Sequence, residues 1–148
     1  MSTLTESKNA DLITDQEKEK IFSEIQIQWE YSSAGIEQHN AEQAFSVFSK
    51  EEGTKYVRNG YLYPNIETAK EQYAAYFNSP DAVKQKITCD PVIYDILDRN
   101  TVLHTTIGHI EKAEKVDPDE KPWIIAYTLL WRKEHDGWKL FHMHNSWE

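Results

Sequence analysis

The first half of the chain carries apolar residues at helical spacing, and the second half carries them in alternation. Ile21, Phe22, Ile25 and Trp29 recur one helical turn apart, and Thr14 with Glu17 has capping-box spacing. A helix is predicted over 15–33, ended by Gly35. Asn40 can cap a second, shorter helix whose Ala41, Ala44, Phe45 and Phe48 form one stripe, broken by Gly53. Residues 54–63 are rich in β-formers around Asn59-Gly60, a pair that favours a turn or bulge. Asn65 begins a third helix. Its apolar face is Ile66, Ala69, Tyr73, Tyr76 and Phe77, and Ser79-Pro80 follows its end.

Strands are then predicted over 84–97, 101–112, 123–133 and 138–147. The first is interrupted at Asp90-Pro91, where the missing backbone donor suits an edge or bulge. On the last strand, strict alternation puts His142 and His144 on one face with Trp138, Leu140 and Ser146. Phe141, Met143, Asn145 and Trp147 point the other way. Bulky groups on both faces imply a core or pocket on one side and a partner on the other. Helices first and a strand meander after them predict an α+β domain, with helices on one face of an antiparallel sheet.

A length of 148 residues fits one domain, taken as 15–148, with residues 1–14 expected to be a mobile tail. Hydrophobic residues make up 39% and aromatics 12%, enough for a core. A net charge of −9 repels phosphate backbones, so no nucleic-acid partner is expected. No apolar run approaches the length that spans a bilayer, so no membrane partner is expected either. The lone Cys89 and a polar start without an apolar h-region read as a cytoplasmic, reducing location. There is no Gly-rich phosphate loop, nucleophile elbow or CxxC pair, and hence no cofactor signature.

Several stretches resemble a known family: Trp131-Arg132-Lys133, Asp136-Gly137-Trp138-Lys139, the His142-x-His144-x-Ser146 ending, and Ile87-Thr88-Cys89-Asp90-Pro91. They are similar to the nuclear transport factor 2-like (SnoaL-like) superfamily, nearest to the association domain of calcium/calmodulin-dependent protein kinase II and its bacterial relatives. The resemblance implies a cone: a strongly curved, mixed sheet wrapped on three N-terminal helices, enclosing a pocket and commonly dimeric through the outer sheet face. It places Tyr56 and Arg58, then Val102, His104, Thr106 and Gly108, then Trp123, Ile125, Tyr127, Leu129 and Trp131, and finally Phe141, Met143 and Asn145 toward the pocket. The kinase domain's pocket arginines match Gly108, Leu129 and Asn145 here, so its ligand preference does not carry over. The position of the ketosteroid isomerase base matches Arg58, which cannot abstract a proton.

The fold hosts many functions, so the candidates rest on residue chemistry. His104, among aromatics, is the candidate general acid–base, weighed against a core histidine tied to a hydroxyl or carbonyl. Arg58 can bind a carboxylate bidentately, weighed against a surface ion pair. Trp29, Tyr56, Tyr61, Tyr127, Trp131 and Asn145 complete the candidate ligand-binding set. His142 and His144, with His109 nearby, have chelate spacing, but outer-face imidazoles are the stronger reading, and no metal is expected. Ile124, Ala126, Thr128 and Leu130 form a small, apolar outer face that predicts a homodimer. The leading expectation is a small-molecule-binding domain for an apolar or carboxylate-bearing ligand. The alternatives are a lyase, isomerase or hydrolase working through His104, and an assembly module without ligand.

Overall fold

A computed structural model describes residues 12–147. Residues 1–11 and Glu148 lie outside the described residues, and most of the expected tail lies there with them. The end of that stretch is not a tail: Ile13 is buried, and the Thr14 hydroxyl accepts from the Glu17 N–H at 3.1 Å. This cap opens helix α1 (Asp15–Glu37).

Gly35 does not end α1. It lies inside the last turns because the next helix, α2 (Ala41–Phe45), crosses there at close range. A Cβ on Gly35 would stand 2.4 Å from Ala44 N and 2.9 Å from Ala44 Cα. The Ser32 hydroxyl, one turn earlier, donates to the Ala44 carbonyl at 2.7 Å. The true stop is His39, which takes a left-handed φ of 57°. Helix α2 is also shorter than its stripe predicts. Phe48 leaves the helix because the chain there pairs with the last strand. Leu140 N–H donates to the Val47 carbonyl at 2.7 Å, and Ser49 N–H to the Leu140 carbonyl at 2.8 Å.

Strands β1 (Lys55–Arg58) and β2 (Tyr61–Leu62) form a hairpin whose two central residues, Asn59 and Gly60, both have left-handed φ, 48° and 86°. Helix α3 (Ile66–Phe77) starts at Asn65, whose side chain accepts from Thr68 N–H at 2.8 Å. Four long strands follow: β3 (Gln85–Asp98), β4 (Thr101–Lys112), β5 (Trp123–Glu134) and β6 (Gly137–Trp147). The six form one mixed, open sheet in the order β2-β1-β6-β5-β4-β3, with β1 parallel to β6 and the other pairs antiparallel. The register of β3 slips between Cys89 and Val92, around Pro91, as the missing donor predicts.

A second slip changes the picture of β6. Leu130 lies opposite His142, but the next residue, Trp131, lies opposite Leu140, so Phe141 is an extra residue. Strict alternation therefore fails along this strand. Trp138 and Leu140 are buried on the helix side together with Met143 and Asn145, not on the face of His142 and His144. Phe141 is displaced from the inner face, and the Arg132 guanidinium lies 4.2 Å from its ring centre. The core is built from Ile25, Trp29, Phe45, Phe48, Trp131, Trp138 and Leu140.

The Gly35 contact is with backbone, which cannot swing aside. Gly35→Ala should therefore cost roughly 3 kcal/mol, at the upper end of overpacking penalties. Equilibrium urea denaturation checks this; an unchanged midpoint would mean that the helices separate without strain.

Candidate functional site

Between the inner sheet face and helices α1 and α3 lies a cavity of about 460 Å³, in the size range of small-molecule sites. Its walls differ in chemistry. The wall over β3, β4 and β5 is apolar: Ile87 and Ile110 are register partners, Trp123 pairs with Ile110 on the next strand, and Ile125 lies beside them. Trp29 and Ile36 of α1 and Phe77 of α3 face this wall. Trp123, 44% exposed, stands at the rim. Gly108 leaves room for the Tyr127 ring, since a Cβ there would lie 2.8 Å from Tyr127 Cε2.

The wall over β1 and β6 is polar. Tyr127, Asn145 and Arg58 occupy one row across three strands, because Tyr127 pairs with Asn145 and Asn145 pairs with Arg58. The Tyr56 and Tyr73 hydroxyls are 2.7 Å apart, and Asn145 Nδ2 donates to the Tyr56 hydroxyl at 3.3 Å. Burial pushes the Tyr56, Tyr73 and Tyr127 phenols above their ordinary pKa, so all three stay protonated at neutral pH. The Arg58 guanidinium lies 5.6 Å from the Tyr73 ring centre and 5.0 Å from that of Trp147. Both aromatic faces favour the cation. Among the described residues no carboxylate pairs with it, although the other two arginines are paired: Arg99 with Glu17, and Arg132 with Glu51 and Glu134. Arg58 Nε, Asn145 Oδ1 and Trp147 Nε1 are buried without a hydrogen-bond partner.

No family model and no curated protein matches the chain. Solved structures do. A protein from Streptomyces avermitilis, provisionally described as a dehydratase of the nuclear transport factor 2-like family, superposes with a TM-score of 0.71 at 16% identity, covering 88% of this chain and 97% of that one. A nuclear transport factor 2-like superfamily protein from Salmonella enterica gives 0.71 at 14% identity, over 88% and 92%. A protein from Xanthomonas campestris, provisionally described as a calcium/calmodulin-dependent protein kinase II association domain, gives 0.67 at 12% identity, over 84% and 86%. The chain has the nuclear transport factor 2-like fold.

Within that fold the expected site residues part company. Trp29, Tyr56, Arg58, Tyr127 and Asn145 line the cavity. Tyr61 does not: it sits on the short edge strand β2, half exposed, with its ring edge-on to Tyr63, which lines the cavity in its place. Trp131 does not either, being fully buried in the core. His104 lies behind the wall, sealed by Trp29 (ring centres 5.6 Å apart) and Tyr94 (4.5 Å). His142 and His144 face outward, and among the described residues no three His, Cys, Asp or Glu side chains converge on a metal position. Tyr73 and Trp147 are cavity residues that the sequence reading did not assign. Trp147 shares the parity of Asn145, so that signal was present; Tyr73 was visible only as one aromatic on a helix face.

His104 Nδ1 accepts from the Trp131 indole N–H at 3.1 Å. An indole only donates, so Nδ1 must carry the lone pair and Nε2 the proton. Burial pushes the pKa down to about 4. In the unfolded chain an ordinary histidine protonates near 6.5. Between those values the unfolded state binds a proton that the folded state refuses. This contribution is therefore complete above pH 6.5 and falls away as pH drops toward 4, by on the order of 3 kcal/mol. Denaturant titrations from pH 7 to pH 4 should show that loss, and His104→Gln should show a shallower dependence. Equal slopes for the two proteins would remove His104 as the cause.

Proposed function

We propose that this chain is a small-molecule-binding protein whose cavity takes a molecule with an apolar, flat body and one carboxylate, anchored by Arg58. The observation that supports this most is a guanidinium with no carboxylate partner among the described residues, inside a cavity lined mainly by aromatic and aliphatic side chains, in a chain with a net charge of −9. Acidic side chains are abundant, yet among the described residues none neutralises this cation. A planar fork of donors fits a carboxylate bidentately, and the surrounding aromatic walls fit an apolar body. An acid–base role for His104 has weaker support, because its ring is sealed from the cavity and stays neutral down to about pH 4. Isothermal titration with 2-naphthylacetic acid and its neutral amide tests the reading. The acid should bind at least tenfold more tightly than the amide, and Arg58→Met should abolish that difference by weakening the acid far more than the amide. An acid that binds no better than its amide would falsify the assignment.

We further propose that the outer sheet face joins two copies. No described element covers it. Its central rows are Ile107 beside Ala126 and Ser146, Thr105 beside Thr128 and His144, and Leu103 beside Leu130 and His142, with Ile93 and Ile124 exposed at the margins. Its exposed Ile93 and Ile124, with the small side chains Ala126 and Thr128 between, give an open face flat enough for a second copy to pack on. Sedimentation equilibrium at micromolar concentration should give twice the chain mass, and Thr128→Lys should shift it to the monomer. A wild-type monomer at that concentration sinks the idea.

A further inference from the structure

The polar wall holds more than a cation. Asn145 is 3% exposed, and its Oδ1 has no partner, because its Nδ2 is committed to Tyr56. Trp147 Nε1 on the same strand and Arg58 Nε on the adjacent one are also buried and unpaired. A buried polar atom without a partner carries a desolvation cost that a ligand group of the right type relieves. These are two N–H donors and one acceptor. The donors match the two oxygens of a carboxylate; the acceptor matches an O–H. Arg58 and Asn145 are directly paired residues on neighbouring strands, about 4.8 Å apart. A ligand that meets both side chains therefore carries its acid and its hydroxyl near one another, as on adjacent carbons. The apolar wall of Ile87, Ile110, Ile125 and Trp123 then takes the body on the far side of Tyr127.

We infer that the ligand class is a hydroxy acid on a flat apolar body, with its carboxylate on Arg58 and Trp147 and its hydroxyl donating to Asn145 Oδ1. This rests on the carboxylate reading of the same cavity and adds the second polar contact. Only the hydroxylated acid satisfies all three atoms. The plain acid leaves Oδ1 unpaired, and an ether offers it no proton.

Calorimetric titration of the full chain with 2-naphthylacetic acid, 2-naphthylglycolic acid, the O-methyl ether of the latter, and 2-naphthylacetamide separates the possibilities. The glycolic acid should bind about tenfold more tightly than the acetic acid, and the methyl ether should lose that gain. Asn145→Leu should equalise the glycolic and acetic acids. Trp147→Phe, which keeps the ring beside Arg58 but removes the N–H, should weaken both acids several-fold and preserve the preference between them. Should Asn145→Leu fail to fold, the probe series on the wild type and on Trp147→Phe still decides. Two acids that bind equally, both above the amide, overturn this inference while the carboxylate reading stands; Arg58 and Asn145 then satisfy each other. A preference for the methyl ether also overturns it, because Asn145 would be presenting its N–H. Failure of every acid to exceed the amide removes the carboxylate reading itself.

Discussion

One extra residue, Phe141, governs which side of the molecule each part of the last strand serves. Before it, Trp138 and Leu140 fill the core against α1 and the 46–49 segment; after it, Met143 and Asn145 line the cavity. Without the bulge, one of those two sets would turn outward, since a one-residue shift inverts every side chain on a strand. The strand would then have either an unfilled core or a cavity without its polar wall. Because β6 sits between β1 and β5, the placement of Arg58 and Tyr127 also follows from its register.

Much of the architecture was legible because it depends on local signals. Thr14, Asn40 and Asn65 cap the three helices as their side-chain chemistry predicts, and Asn59-Gly60 makes the turn its backbone preference favours. Pro91 marks a slip in β3 because its missing donor is a local fact. The failures have a shared cause, which is that tertiary contact outranks local preference. Gly35 reads as a stop until Ala44 is known to cross at that point. Phe48 continues a helical stripe until Leu140 claims its neighbours' backbone groups. Phe141 looks like any other alternating residue, since a bulge adds no distinctive residue type.

The site was partly legible for similar reasons. The family resemblance set which strand face looks inward, and Tyr56, Arg58, Tyr127 and Asn145 of that face line the cavity. The depth of a residue behind the wall is not periodic. His104 has the right parity but is covered by Trp29 and Tyr94, which come from α1 and β3. The same aromatic surroundings that made it attractive as an acid–base group are what remove it from the cavity. Arg58 gained interest for the opposite reason: the surface ion pair weighed against it in the sequence is absent among the described residues.

The contact between Gly108 and Tyr127 carries a lesson about how such a cavity changes over generations. Position 108 has no side chain, and the Tyr127 ring fills the space that one would occupy. Any larger residue arriving there must push the phenol toward the cavity or be accompanied by a smaller residue at 127. The two positions therefore form a paired setting for the size of the chamber, adjustable without altering the sheet register. Exchanges at those two sites would alter the volume of the chamber while leaving Arg58 and Asn145 where they stand.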